Sequence, residues 1–292
     1  MGLQTRSFVC GRVKILALLA TYNEERFVEA CISHLVRQGI EVYLVDNEST
    51  DRTVELAQAF RGRGLVGIET LPRNGMFSLR TQLRRKEALA ASLEADWFLH
   101  VDADEMHLSP DPRKTVRDEL EDADARGFSA VNFLEFSFVA TREEPCHDLP
   151  DFARTMRHYY PYAPASPHRL NAWKKQNVPV DLASTGGHVV HFPDLRMSPR
   201  TLWMKHYLYL SIEHALEKFV RRRFDPAEVS DGWYGFRPLL TADTLRLPSN
   251  ADTRFMAEDN VLDASAPRRT HLLDDAMREI MRLSRTGADS HA

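Results

Sequence analysis

Four short apolar runs, each ended by a cluster of polar, turn-prone residues, divide the first third of the chain. Residues 13–20 are almost continuously apolar and lead into Thr21, Tyr22, Asn23 and Glu24. Residues 42–45 end at Asp46 and Asn47, residues 66–71 at Arg73, Asn74 and Gly75, and residues 97–101 at Asp102, Ala103, Asp104 and Glu105. Runs of this length without alternation read as strands buried on both faces. Between them, apolar residues recur at helical spacing. Phe27, Ala30, Cys31, His34 and Leu35 share one face of a helix over 24–38, which Asn23 or Thr21 caps and Gly39 stops. A second helix starts at Ser49, Thr50 or Asp51 and runs to Arg61 with Val54, Ala57 and Phe60 inward, and a third covers 79–93. This alternation predicts an α/β fold with a doubly wound, mostly parallel sheet. Ligands of such folds sit outside the carboxyl ends of the strands, where all four polar clusters fall.

Beyond the fourth run the pattern becomes mixed. A charged helix is expected over 110–126, stopped by Gly127, followed by a fifth strand over 130–139 that carries Glu135 among aromatics. A buried carboxylate needs a partner, Arg154 or Arg157 by expectation; otherwise its pKa is raised for proton work. Residues 141–167, rich in Pro, Asp, His and Tyr, read as irregular loop, and 169–173 and 187–192 as short strands. From Met204 the chain is expected to enter a helix reaching Arg223 or Phe224, with Ile212, Leu216, Phe219 and Val220 inward. Arg221, Arg222 and Arg223 then form a solvated helix end, or touch phosphate or membrane headgroups. A last helix over 272–283 precedes a disordered tail, 284–292. The expected organisation is an α/β half (1–130), a mixed, elaborated half of the same domain (131–240) and an extension (241–292).

Asp102 and Asp104 are two apart, so on an extended chain both carboxylates face one side and can reach one hard cation, Mn2+ or Mg2+, and through it a diphosphate. An isolated Asp-x-Asp reads equally well as an acidic turn in solvent. No Gly-x-Gly-x-x-Gly follows the first strand and no Gly-Lys-Ser/Thr loop is present, so phosphate charge must be met by metal and arginine. Arg80 and Arg84 share a helix face with Arg80 nearer the cleft, whereas Arg84, Arg85 and Lys86 read as a solvated basic face.

Composition narrows the partners. The 292 residues are 43% hydrophobic and 27% charged with a net charge of −4, the profile of a globular protein with no global bias toward nucleic acid. Cys10, Cys31 and Cys146 are too few and too scattered for a disulfide framework and suit a reducing compartment. The apolar run 15–20 is too short for a membrane span or a signal-peptide core, so the expected location is cytoplasmic, with peripheral membrane contact allowed.

Ala20-Thr21-Tyr22-Asn23-Glu24-Glu25, Val45-Asp46-Asn47-Glu48-Ser49-Thr50-Asp51-Arg52-Thr53 and Val101-Asp102-Ala103-Asp104-Glu105 together resemble family 2 glycosyltransferases of the GT-A fold. The resemblance implies that Thr21, Tyr22 and Glu24 line a base and ribose pocket, that Asp46 binds the base, and that Asp102 and Asp104 serve the ribose and the metal diphosphate. Asn23, Asn74 and Arg80 join the nucleotide-binding set by their positions after the strands. More distantly, Arg169-Leu170, Gly187-His188 and His206-Tyr207, with Ser211, Lys218 and Arg223, are similar to bacterial lipopolysaccharide-core glucosyltransferases. That likeness implies a histidine from the second half at the metal or diphosphate, His206 or His188.

The Glu-Asp pair that supplies the base of inverting members has no counterpart where it is expected, since Glu258-Asp259 lies late. Glu135, Asp181, Asp151 and His188 are the candidate bases, and the stereochemical course stays open. The activity implied is metal-dependent transfer of a sugar from a nucleotide diphosphate sugar, UDP-linked by preference, to a glycan or glycolipid hydroxyl. Trp173, Trp203 and Trp233 either stack on sugars or pack in the core. Two other readings exist: a phosphatase of the haloacid dehalogenase type, whose Asp-x-Asp follows the first strand rather than the fourth, and a non-catalytic nucleotide-binding protein.

Overall fold

The computed structural model describes residues 13–289. Its first half alternates as the apolar pattern predicts: β1 (Ile15–Thr21), α1 (Val28–Arg37), β2 (Glu41–Asp46), α2 (Thr53–Gln58), β3 (Leu65–Thr70), α3 (Leu79–Ser92) and β4 (Trp97–Asp102). Every residue of β1 is buried, as a strand covered on both faces requires. β1 pairs with β2 and with β4, and β2 with β3, all parallel, in the order β3-β2-β1-β4. The chain therefore winds outward from β1 to β3 and returns through α3 to the other side of β1. The direction of winding reverses between β1 and β4, and there the loops diverge and leave a crevice.

Helix starts differ from expectation where a side chain has found a better partner. α1 begins at Val28 because Asn23 adopts a left-handed backbone (φ 54°) and accepts from Thr50 N at 2.8 Å, tying the loop after β1 to the loop after β2. The helix expected from residue 110 begins at Val116, where Thr115 and Asp118 form a capping box.

The second half adds β5 (Glu105–Leu108), α4 (Val116–Ala125), β6 (Ala130–Val139), α5 (Phe152–Thr155), β7 (His158–Tyr162), β8 (Arg169–Lys174), β9 (Leu202–Tyr209), α6 (Ile212–Ala215), α7 (Pro226–Ser230), β10 (Arg254–Phe255) and α8 (Leu272–Asp289). β8 runs antiparallel between β4 and β6, so one sheet crosses the expected boundary at residue 130. β9 lies parallel to β6 and carries β5 on its other edge.

Four expectations are corrected here. Residues 202–209 are a strand, not the entry to a helix: wedged between β6 and β5, they are buried on both faces apart from half-buried Trp203, and the helix waits until Ser211 caps it through His214 N. Residues 187–192 form no strand and contribute only the single bridges Leu170 to Val189 and Asp181 to His191. β7 arises inside the segment read as loop, because residues 159–162 pair with β6, His158 pairs with β10, and Tyr159 packs on Phe136 and Phe138. α8 continues through 284–289, which were expected to be disordered; Cys10 and residues 290–292 lie outside the described residues. No described helix is long and apolar enough to cross a membrane.

Candidate active site

The crevice between the ends of β1 and β4 holds about 890 Å3 of empty space, its open mouth included, and Tyr22, Glu24, Asp102, Asp104, His188 and His206 line it. β4 stops at Asp102 and β5 starts at Glu105, so the two aspartates sit on the turn between two buried strands. That turn presents them differently. The Asp102 side chain is 44% exposed and its Oδ1 lies 3.6 Å from Lys86 Nζ. Asp104 is buried and its Oδ2 takes both the Lys218 ammonium and, at 3.3 Å, Nε2 of His206.

Behind them a chain of buried charges runs into the sheet. His206 Nδ1 lies 2.8 Å from Glu135 Oε1, Glu135 binds Arg169 at 2.7 Å, and Arg169 reaches Glu105 at 3.5 Å. Glu105 turns back to accept from Asp102 N at 3.1 Å. The alternation of signs compensates each charge locally, which is the condition for burying any of them. Burial opposes ionisation of Asp104, yet Lys218 and His206 hold it well below the carboxylate range. Burial likewise opposes the His206 imidazolium, but Asp104 and Glu135 on its two nitrogens hold it up at about 9. The partial desolvation of Asp102 opposes its charge, yet Lys86 and His100 hold it at about 2, whereas burial and the Asp102 charge push Glu105 up to about 7.

The residues singled out in the sequence divide into three groups. Tyr22, Asn23 and Glu24 line the crevice or its mouth, where Arg73 stacks its guanidinium 3.3 Å over the Tyr22 ring. Burial pushes Glu24 up to about 7 despite Lys218. Thr21 and Asp46 lie just beneath, both buried, with Thr21 Oγ1 donating to Asp46 at 3.3 Å and Ser49 N donating to it at 3.0 Å. Asn74 turns the loop after β3 with a left-handed backbone, and its neighbours Arg73 and Gly75, not Asn74, face the mouth.

The third group lies elsewhere. Arg80 points outward to Asp231 at 2.6 Å and over the Trp233 ring. Asp181 accepts from Ser184 N at 2.9 Å, away from the residues that line the crevice. Glu135 is fully buried behind His206, and its partners are Arg169, His206 and His168. The expected pairing with Arg154 or Arg157 is wrong, because those side chains bind Asp151 and Asp259. Asp151 is therefore engaged as well. Trp173 stacks on Phe98 in the core, Trp203 packs on Phe136, and Trp233 faces a second groove.

The sequence reading undervalued the basic residues. Lys86, assigned to a solvated face, is 1% exposed and donates to Val101 O at 2.9 Å beneath Asp102. Arg222, assigned to a helix end, lines the crevice 3.9 Å from Glu24, and Arg237 lines it from a short turn, 237–239. The signal available in the sequence was spacing: Lys218 and Arg222 are four apart, the interval that puts two side chains on one helix face, although the helical turn itself ends at Val220.

Residues 17–128 match the family model described as Glycosyl transferase family 2. Over this segment the chain is similar to glycosyltransferase family 2. The matched segment holds β1 to β4 and both aspartates, while His206, Lys218 and Arg222 come from outside it. Over 108 residues the chain is 33% identical to an uncharacterized glycosyltransferase of Rickettsia bellii, a match covering 37% of this chain and 32% of the relative. It thus spans about a third of that relative's length. Among solved structures, S. aureus TarS aligns with a TM-score of 0.40 and 13% identity over 79% of this chain and 45% of its own. Glucosyl-3-phosphoglycerate synthase from Mycobacterium tuberculosis, in complex with Mn2+, UDP and glucosyl-3-phosphoglycerate, aligns at 0.30 and 18% over 42% of this chain and 44% of its own. At these scores the structural likenesses carry no argument about this chain.

Proposed function

We propose that the protein transfers a sugar from a nucleotide diphosphate sugar, UDP-linked by preference, to a glycan or glycolipid hydroxyl, with a divalent cation bound at Asp102, Asp104 and His206. The observation that carries this reading is the orientation of His206. Its Nδ1 is taken by Glu135, which leaves Nε2 turned toward Asp104. A histidine whose second nitrogen is fixed by a carboxylate is the usual arrangement around a metal, and two carboxylates with an imidazole suit Mn2+ or Mg2+ beside a diphosphate. Among the described residues no three such side chains already converge at ligand distance: the Lys218 ammonium and the Nε2 proton of the His206 imidazolium stand on the Asp104 oxygen, and both would have to give way to the cation. When bound, the cation would neutralise charge developing on the diphosphate leaving group.

The chain's own residues then divide the work. Tyr22 and Arg73 hold the nucleoside end at the mouth. Lys218 and Arg222 face the crevice as fixed cations for the phosphate oxygens. His188 stands where the crevice opens into the second groove; burial, with Arg169 and His168 nearby, depresses its pKa and keeps it uncharged, so it can accept a hydrogen bond from an acceptor hydroxyl and acts as base only where a bound anion raises that pKa. Glu135 positions His206 and is no base. Cys31 and Cys146 are free thiols, which suits the reducing cytoplasm proposed here.

Thermal-shift titration with UDP, with and without Mn2+, tests donor and cation together. A ligand at a hundred times its Kd stabilises the folded state by about 2.7 kcal/mol. Stabilisation by UDP that depends on Mn2+, and is lost in Asp104→Asn when measured against that variant's own unliganded melting temperature, is the expected result. Indifference to every nucleotide and nucleotide sugar would end the proposal.

A further inference from the structure

Beyond His188 the crevice opens into a second groove of about 1190 Å3, open solvent included. The two share the walls formed by Leu79, Arg169, Gly186, His188, Tyr234 and Arg237, so a ligand there would meet a donor sugar end on. The groove's charges do not balance. Asp231 is committed to Arg80 at 2.6 Å, Asp274 to Arg278 at 2.6 Å, and Arg169 to Glu135. His271 is uncharged, because burial holds its pKa down at about 3, and its ring stacks on Tyr162 at 3.9 Å. Arg237 and Arg269 are what remains. Among the described residues neither has a carboxylate within ion-pairing distance; Arg237 lies 5.9 Å from the Phe219 ring centre, and Arg269 donates one N–H to Pro164 O at 3.0 Å. Arg237 is half-buried: burial and the nearby Arg169 and Arg222 weigh against its charge, and Asp104 and Asp102 favour it only from beyond ion-pairing distance.

An uncompensated guanidinium at a half-buried position is costly unless an anion completes it. The groove also carries aromatic surface in Trp233, Tyr162 and Phe236, the kind of face on which sugar rings stack. We infer that this groove is the acceptor subsite and that it selects a saccharide bearing an anionic group, a phosphate or a carboxylate, which Arg237 and Arg269 receive while the sugar rests on the aromatic wall. The inference rests on reading the neighbouring crevice as the donor site. It explains why two arginines face the groove with no carboxylate partner among the described residues.

The test titrates the full-length protein, alone and saturated with UDP and Mn2+, with glucose, glucose 6-phosphate and glucuronate, read by ligand-observed NMR. The two charged sugars distinguish phosphate from carboxylate. The expected result is at least about tenfold tighter binding of one or both charged sugars than of glucose, a preference that Arg269→Gln and Arg237→Gln each reduce by about tenfold. Arg269 is exposed, so its variant is expected to fold, and it should leave UDP affinity unchanged. Arg237 also borders the donor crevice, so loss of UDP affinity in Arg237→Gln with the charge preference intact would overturn its assignment to the acceptor. Equal binding of glucose and the charged sugars by a protein that binds UDP would overturn the inference and leave the donor reading standing. A charge preference in a protein that does not bind UDP would keep the groove and remove the donor.

Discussion

Glu135 is the residue on which the site's electrostatics turn. It is buried completely and touches three basic side chains, and although burial opposes its charge, Arg169 and His206 keep it ionised well below its ordinary value. A positioning role and a role as base predict different outcomes for Glu135→Gln, which keeps the shape and removes the charge. If it positions His206, Mn2+-dependent UDP affinity should fall about 10–100-fold, as for other loss of support around a metal ligand. The fold should also lose about 3–5 kcal/mol, because Arg169 is left short of its main partner. Calorimetric titration and chemical denaturation read the two effects; intact affinity with abolished turnover would return Glu135 to the list of bases. At this scale the sequence was legible where chemistry and position coincide. Asp102, Asp104, His188 and His206 do share one crevice. Lys86 was misread because a lysine beside Arg84 and Arg85 has the composition of a wet helix face, and only the packing of α3 over β4 shows that it points inward.

Elements were legible where burial is simple and illegible where it is not. β1 and β4 are covered on both faces and announce themselves as apolar runs; β2 is half-buried at two positions, and β3, at the sheet edge, is an apolar run that stays largely uncovered. β9 is equally buried but includes Lys205 and His206, and its run passes straight into α6, so one helix seemed to explain the whole. The connection that closes the crevice was harder still, since it depends on a residue 150 positions away from its partner. Glu228 on α7 is buried at the start of α3, where it accepts from Leu79 N at 2.9 Å, Arg80 N at 3.1 Å and the hydroxyls of Ser78 and Tyr234. It serves as a carboxylate cap delivered from outside the helix, satisfying backbone groups that a helix start leaves open. Glu228→Ala should cost about 1–3 kcal/mol through those unpaired donors. The cost should be local: hydrogen exchange at 79–81 and across 226–237 should speed up while β1 and β4 keep their protection. Uniform loss of protection, or none, would show that α7 is not held to α3 in this way.

The molecule as a whole carries a continuous trench over the carboxyl edge of its sheet, from the mouth at Arg73 through the aspartates to the groove at Trp233. Lining that trench and the core beside it with histidines has a consequence for acid stability. Burial holds His34 at about 4 and His214 and His271 at about 3. His214 is kept neutral by geometry as well, since its Nδ1 accepts from Leu210 N at 3.1 Å. Each is uncharged in the fold and takes a proton in the unfolded chain below about pH 6.5. Above that value both states are neutral and these groups give no pH dependence; as the pH falls, the unfolded state binds protons the fold refuses, and stability drops. Glu24 and Glu105, raised to about 7, act in the opposite sense between 4.5 and 7. His100, held by burial at about 3, joins the three histidines, and His206, raised to about 9, opposes them only above about pH 6.5, so between pH 7 and pH 5 the neutral histidines outnumber the raised carboxyls and the net slope favours neutral pH. The melting temperature should therefore fall on going from pH 7 to pH 5, well before the depressed carboxylates Asp104 and Glu135 begin to protonate. His214→Gln, whose amide oxygen can accept from Leu210 N, should flatten that fall; a melting temperature that holds steady or rises over the interval would mean that the raised carboxyls outweigh the neutral histidines.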